Sequence, residues 1–147
     1  MTTPLDSAVG FAALGLNDTL IAGLTALGYE EPTPIQREAI PPLLAGKDLL
    51  GQAATGTGKT AAFALPLVQR IADVGSERRG TSGLILVPTR ELAMQVAEAV
   101  HRYGRSHGVT VVPIYGGQAI VSQLRALKRG VDAVSYTHLT LPTTPYV

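Results

Sequence analysis

The stretch AATGTGKT, residues 53–60, is the most informative part of this 147-residue chain. It follows a short apolar run at 48–52 (DLLGQ) and precedes the small and apolar pattern AAFALPLVQRI at 61–71. A buried strand, a glycine-containing turn and a helix N-terminus, in that order, place several backbone N–H groups around an anion. The pattern therefore predicts a phosphate-binding loop in a parallel α/β fold.

The residue types in this loop suit a nucleoside triphosphate. Gly56 and Gly58 permit backbone angles and a close approach that a Cβ would block. Lys59 can reach the β- and γ-phosphates, and the Thr60 hydroxyl can ligate Mg²⁺, so these two side chains are the catalytic candidates. The usual pattern has glycine where Ala53 stands. The whole loop is assigned to nucleotide binding: Ala53, Ala54, Thr55, Gly56, Thr57, Gly58, Lys59 and Thr60.

A second interpretation uses the same glycines. Gly56-x-Gly58-x-x-Ala61 also fits a looser dinucleotide-binding fingerprint, with Asp73 and Glu77 near the offset of a ribose-binding acid. Both acids fall in a polar loop instead of at the end of a strand, and the fingerprint leaves Lys59-Thr60 unexplained. A dinucleotide-dependent oxidoreductase is therefore the weaker alternative.

Apolar runs and helical repeats alternate along the chain. The run at 84–87 is typical of parallel strands that are covered on both faces. The alternation predicts an α/β fold with a doubly wound parallel sheet and right-handed crossovers. Strands are predicted at 48–52, 84–87, 109–115 and from 131, and helices at 20–27 (capped by Asn17 or Asp18), from Pro34 to a bend or break at Pro41-Pro42, at 61–71, at 89–103 and at 120–127.

Composition excludes several classes of protein. Apolar residues make up 46% and charged residues 16%, with a net charge of +1, so neither a disordered polyelectrolyte nor a strongly basic surface is indicated. The absence of cysteine excludes disulfides and thiolate chemistry. No apolar run approaches the ~18 residues of a membrane span, and the first ten residues do not read as a secretory signal. We expect a cytoplasmic chain without membrane contact.

The order and spacing of several motifs resemble those of DEAD-box ATP-dependent RNA helicases, of the bacterial, cold-shock-like type. The resemblance covers about residues 11–134 and implies a P-loop NTPase fold of the RecA-like type, present in truncated form. It also implies ATP and Mg²⁺ as cofactors and RNA as partner. The motifs are GYEEPTPIQ (28–36), AATGTGKT (53–60), PTRELAMQ (88–95) and Gly116-Gly117.

The first of these motifs resembles the family's Q motif, which reads adenine. A glutamine amide can pair with N6 and N7 of adenine, so Gln36 is the expected selector for ATP. The resemblance further implies Tyr29 against the base and Thr33 near the phosphate loop. Phe11 lies 17 residues before Gly28, like the isolated upstream aromatic of the Q motif, and is included in the predicted ATP site.

Two further motifs resemble the family's RNA-binding segments. Thr89 is a good helix cap and Arg90 adds positive charge at the helix start, where N–H groups favour an anion. Gly116-Gly117 would let the backbone approach a sugar-phosphate chain. The resemblance implies sequence-independent contacts with the RNA backbone. The predicted RNA-binding residues are Pro88, Thr89, Arg90, Gly116, Gly117 and Gln118.

The acid that should hold Mg²⁺ at a strand end is missing from the motifs. None of the acids after Thr60 follows four apolar residues, so the DEAD box itself is absent; Asp132 comes closest. The whole protein is expected to carry a second RecA-like domain in cis. The isolated chain is predicted to be inactive, and a non-catalytic nucleotide-binding fragment is the alternative description.

The composition changes abruptly near the end of the chain. Residues 135–147 (SYTHLTLPTTPYV) contain no Asp, Glu, Lys or Arg, and the family pattern is lost at Ser135. Three segments are therefore predicted: a lead-in with the first helix at 1–27, a partial RecA-like domain at 28–134, and a non-native tail at 135–147.

Overall fold

The computed structural model describes residues 10–77 and 80–137 of the chain. Within those residues, no helix is long and apolar enough to cross a membrane. The helices are α1 (Asp18–Ala26), α2 (Pro34–Leu44), α3 (Lys59–Val74), α4 (Arg90–Gly104) and α5 (Ile120–Arg129), the strands are β1 (Gly83–Leu86), β2 (Val111–Ile114) and β3 (Ala133–Tyr136), and the 3-10 turns are Gly10–Leu14, Gly75–Glu77 and Arg105–His107.

The strands form a parallel sheet in the order β1-β3-β2. Ile85, Ser135 and Pro113 lie side by side across it. Because α4 connects β1 to β2 and α5 connects β2 to β3, each parallel pair is reached through a helix, as parallel strands require. The predicted parallel α/β fold is confirmed.

The helix starts follow the predicted caps. Asn17 Oδ1 accepts a hydrogen bond from Leu20 N at 2.9 Å, and α2 begins at Pro34. Pro41-Pro42 does not break α2, because the helix continues to Leu44, and the alternative, a bend at these prolines, stays a prediction. The proline carbonyls still accept from the residues that follow, at 3.1 and 3.0 Å, so the last turn remains closed.

The strand predicted at 48–52 is not formed. These residues have no regular structure, and Leu50 is fully exposed. A strand satisfies its backbone groups by pairing with a neighbour, and β1, one of the two edge strands of the described sheet, pairs only with β3. A groove of about 720 Å³, lined by Leu49 and Gly51 on one side and by Ile85 and Leu86 on the other, lies between this segment and β1.

Helices α3 and α4 cover one face of the sheet. A Cβ on Gly83 would lie 3.0 Å from Leu67 of α3, and Ser135 Oγ donates to the Ala93 carbonyl of α4 at 2.7 Å. On the opposite face, Leu84 and Leu86 are 66% and 49% exposed. The prediction that this strand is covered on both faces is therefore wrong for the described chain.

The predicted boundary after residue 27 falls just beyond the end of α1, whereas the one after residue 134 lies inside β3. β3 continues to Tyr136, and both Ser135 and Thr137 are buried, so the strand passes beyond the predicted end of the domain at 134. The non-native origin of 135–147 stays a prediction, and 138–147 lie outside the described residues. Within the lead-in, the 3-10 turn at Gly10–Leu14 buries Phe11, whereas residues 1–9 are not described.

Candidate functional site

The phosphate loop has the predicted form of a turn that leads into a helix. Gly56 and Gly58 have φ values of +81° and +82°, which only glycine adopts without strain. Thr57 Oγ1 donates to the Ala54 carbonyl at 2.6 Å and closes the turn. Lys59 is the exposed first residue of the 16-residue helix α3. The loop therefore presents N–H groups and an ammonium group at a positive helix end.

Gln36 joins the adenine-type motif to the phosphate loop. Its side chain is 2% exposed, Nε2 donates to the Gly58 carbonyl at 3.1 Å, and Oε1 accepts from Thr33 N at 3.0 Å. A Cβ on Gly58 would collide with Gln36 Nε2. Glycine is thus required here by both the positive φ and the buried glutamine, and the two motifs form one site.

The hydroxyl of Thr33 is a buried polar group that makes no hydrogen bond among the described residues. Thr33 Oγ1 is inaccessible to solvent. It lies 3.4 Å from the position that a Gly58 Cβ would occupy. An unsatisfied buried hydroxyl costs about 1–3 kcal/mol, so this atom favours a ligand oxygen at the loop. The residues present therefore fit a nucleotide phosphate.

Three aromatic rings pack in a row, and two of them, Tyr29 and Tyr103, line a cavity together with Gly58 of this loop. Phe11 is buried and packs edge-on against Tyr29, with ring centroids 6.4 Å apart. The hydroxyl of Tyr29 is 2.8 Å from that of Tyr103 on α4, and their rings are also edge-on at 6.0 Å. Burial, together with this hydrogen bond, raises the pKa of Tyr103 above its ordinary value. Phe11 packs behind Tyr29, and its direct contact with adenine stays a prediction.

A cavity of about 360 Å³ separates the phosphate loop from α4. The sequence did not predict the α4 side of this cavity, because Tyr103 recurs at helical spacing with Leu92, Val96 and Val100 and is therefore interpreted as a core residue. The available signal was a tyrosine on the apolar stripe, whose hydroxyl needs a partner when buried. The lining residues are Tyr29, Gly58, Thr60, Ala61, Leu92, Gln95, Glu98, Ala99, Arg102 and Tyr103.

A second cavity, of about 460 Å³, lies at the carboxyl ends of all three strands. Thr89 Oγ1 caps α4 by accepting from Leu92 N at 3.1 Å, so the helix start faces this cavity. Gly117 has φ +85°, and a Cβ there would lie 3.0 Å from Nη1 of Arg90. The cavity combines a positive helix end, a guanidinium group and glycine backbone. Its lining residues are Pro88, Thr89, Arg90, Gly116, Gly117 and Thr137.

The structure thus brings together five of the six predicted RNA-binding residues. Gln118 is exposed, bonds to Gln123 at 3.3 Å and does not line the cavity. Thr137 lines it but was missed, because the composition placed this residue in the predicted tail. Its backbone N donates to the Ile114 carbonyl at 3.2 Å, which holds it beside the end of β2.

The acids considered from the sequence lie elsewhere. Asp132 Oδ2 accepts from Thr110 N at 2.8 Å and from its hydroxyl at 3.0 Å, at the amino ends of β2 and β3. The 460 Å³ cavity lies at the other end of the sheet, where Leu86 and Val87 also line a groove together with the phosphate loop. Asp73 lies in the last turn of α3 and Glu77 in the turn that follows, so neither is at the end of a strand. Within the described residues, no cluster of three His, Cys, Asp or Glu side chains could hold a metal.

Comparison with known proteins identifies the family. A family model described as DEAD/DEAH box helicase matches residues 33–143, which contain Gln36, the phosphate loop and both RNA-type motifs. The chain belongs to the DEAD/DEAH box helicase family. The DEAD-box ATP-dependent RNA helicases CshA of Bacillus cereus and Bacillus thuringiensis are each 50% identical over 119 residues, or 81% of this chain and 22% of the relative.

Solved helicase structures have the same fold. The RNA helicase Prp28 of Chaetomium thermophilum bound to ADP matches with a TM-score of 0.80 and 41% identity, over 90% of this chain and 33% of that one. A DEAD box protein of Methanococcus jannaschii matches with a TM-score of 0.79 and 38% identity, over 88% and 35%. The RecA-like fold is confirmed, and the oxidoreductase alternative is excluded. The chain spans about a fifth of the length of its curated relatives.

Proposed function

We propose that this chain is the ATP- and RNA-binding part of an ATP-dependent RNA helicase. The observation that carries the proposal is the bond from Gln36 to the Gly58 carbonyl, which unites an adenine-type motif with the phosphate loop. A separate anion-favouring cavity at the carboxyl ends of the same sheet supports a second, RNA-binding role. In the whole protein, a second RecA-like domain in cis would complete both sites.

ATP would lie with its phosphates at the loop and its base beside Tyr29. Lys59 would bind the β- and γ-phosphate oxygens, and Thr60 would ligate Mg²⁺, which when bound neutralises phosphate charge. A side-chain amide has two N–H donors and two acceptor lone pairs, so the bonds within the protein leave Gln36 one donor and one acceptor. That pair matches N7 and N6 of adenine, which supports selection of ATP over GTP.

RNA would bind through its backbone at the second cavity. Backbone N–H groups at the start of α4, the Arg90 guanidinium and the Gly116-Gly117 turn contact phosphate and sugar without reading bases. Such binding is independent of sequence and weakens with salt. The near-neutral net charge of +1 agrees with a local site instead of a basic surface.

Turnover requires a group that the described residues do not place at the loop. An acid must hold Mg²⁺ and help to orient water, and Asp132 is committed to Thr110 at the opposite end of the sheet. We therefore expect the isolated chain to bind ATP and RNA without RNA-stimulated hydrolysis.

Two single substitutions test both halves of the proposal and serve as controls for each other. Lys59→Ala should weaken binding of a fluorescent ATP analogue by about tenfold or more, since a charge-assisted contact contributes about 1.5–3 kcal/mol. It should leave binding of single-stranded RNA unchanged. Arg90→Ala should weaken RNA binding for every sequence and lower the salt dependence by about one phosphate contact, with ATP binding unchanged. Equal binding by all three proteins, or hydrolysis that Lys59→Ala abolishes, would contradict the proposal.

A further inference from the structure

The Tyr29–Tyr103 hydroxyl pair links the base side of the ATP site to α4. Tyr29 follows Gly28 in the segment before α2, and its half-buried ring lines the 360 Å³ cavity together with Gly58 and Thr60. Tyr103 belongs to the last turns of α4, 74 residues further along the chain. The bond between their hydroxyls, at 2.8 Å, therefore fixes the ring of a loop residue to a packed helix.

We propose that Tyr103 is a positioning residue of the adenine site, whose hydroxyl holds the Tyr29 ring in the orientation on which the base packs. This inference rests on the proposed function, because it assumes that ATP binds with its adenine beside Tyr29. Tyr103 itself need not touch the nucleotide. It acts through the ring that it holds.

Packing alone does not explain a tyrosine at this position. Tyr103 is only 6% exposed, and a phenylalanine would fill the same stripe of α4 without burying a hydroxyl. A buried hydroxyl is tolerated when it finds a partner, and Tyr29 supplies that partner. Burial and the same bond raise the pKa of Tyr103, so its hydroxyl stays protonated to a higher pH than that of an exposed tyrosine.

The Tyr29 ring is held from two sides. Phe11 and Tyr103 both meet it at an interplanar angle of 76°, with centroids at 6.4 and 6.0 Å. Such edge-to-face pairs contribute about 0.5–1.5 kcal/mol beyond their buried area. Phe11 supplies contact only, whereas Tyr103 adds a directional bond at the hydroxyl end. Loss of that bond would leave the ring in place but free to change its tilt.

The test compares a ligand that has a base with one that lacks it. Tyr103→Phe keeps the buried ring and removes the hydroxyl. It should weaken ATP binding by about two- to tenfold, the effect of one neutral hydrogen bond. Binding of inorganic tripolyphosphate, which contacts only the phosphate loop, should not change. Tyr115→Phe is the matched control, because this half-buried tyrosine lines neither cavity and its loss should alter neither affinity.

Tyr29→Phe provides a second, independent variant, since it removes the other hydroxyl of the pair. If the bond between the two hydroxyls orients the Tyr29 ring, both single variants weaken ATP binding alike, and the double variant binds ATP as tightly as either single variant. Unchanged ATP affinity in Tyr103→Phe, or equal loss of ATP and tripolyphosphate, would overturn the positioning role while the proposed function stands. Failure of the unsubstituted chain to bind ATP would overturn both.

Discussion

Helices α4 and α5 have similar amphipathic sequences but differ completely in burial. In α5, Ile120, Leu124 and Leu127 recur at helical spacing, yet none of its residues is buried, and Ile120 is 72% exposed. In α4, apolar residues at the same spacing pack against the sheet and α3. The difference teaches that periodicity predicts a helix and its apolar side, whereas burial needs a partner. The buried residues of α4 are Ala93, Val96, Ala97, Ala99, Val100, Tyr103 and Gly104.

The two helices are also anchored differently. α4 accepts the Ser135 hydroxyl of the central strand and bonds through Tyr103 to Tyr29. α5 is connected to the preceding turn by Gln123, whose Nε2 donates to the Tyr115 carbonyl at 2.7 Å. Within the described residues, α4 is therefore held by side-chain bonds to the sheet and to Tyr29, whereas the apolar side of α5 is exposed.

The largest expected effect comes from placing the same charge on each helix. Val100 is fully buried in α4, so Val100→Asp should abolish the cooperative unfolding transition, because a carboxylate there has no partner. Val121 on α5 is 64% exposed, and Val121→Asp should change the free energy of unfolding by no more than about 0.5 kcal/mol. Urea unfolding followed by circular dichroism measures both. Similar losses in the free energy of unfolding of the two variants would contradict the difference in burial between α4 and α5.

A smaller, pH-dependent effect belongs to α4 alone. The pKa of Tyr103 is raised in the folded state, so the folded chain binds this proton more tightly than the unfolded chain does. This contribution is complete below the ordinary value of 10.0 and is lost as the pH rises above it. The free energy of unfolding should fall there by up to about 1.4 kcal/mol per pH unit.

The measurement is urea unfolding at several pH values on both sides of 10. The control is Tyr103→Phe, which has no proton to lose and should show a shallower decline. Parallel curves for the two proteins would mean that Tyr103 titrates with its ordinary pKa, and that its burial has no electrostatic consequence.

The sequence predicted those parts of the fold and the site that depend on local signals. The capping residues Asn17 and Thr89 predicted where two helices begin. Gly56 and Gly58 of the phosphate loop predicted a turn with positive φ values, which both residues adopt. The RNA-type motifs met at one cavity because parallel strands end at the same edge of a sheet. These inferences needed no knowledge of which element packs on which.

Features that depend on distant partners could not be predicted. The apolar run at 48–52 reads as a strand, but a strand forms only beside another strand. Tyr103 reads as core, because nothing in its helix indicates a hydroxyl on a residue 74 positions earlier. Thr137 lies in the segment that its composition assigned to a non-native tail, although the backbone pairing of β3 places it at the second cavity.

The smallest effect on stability should come from the apolar stripe of α5. Ile120 and Leu124 are 72% and 50% exposed, so replacing both by glutamine removes the smaller part of their apolar contact and should change the free energy of unfolding by about 1 kcal/mol or less. The same change should lower the fluorescence of a dye that binds exposed apolar surface, since contiguous apolar patches bind such probes. Arg125→Gln, on the exposed polar side, is the control and should leave dye binding unchanged. A loss of stability without loss of dye binding would mean that the stripe is buried in solution, and α5 would then resemble α4.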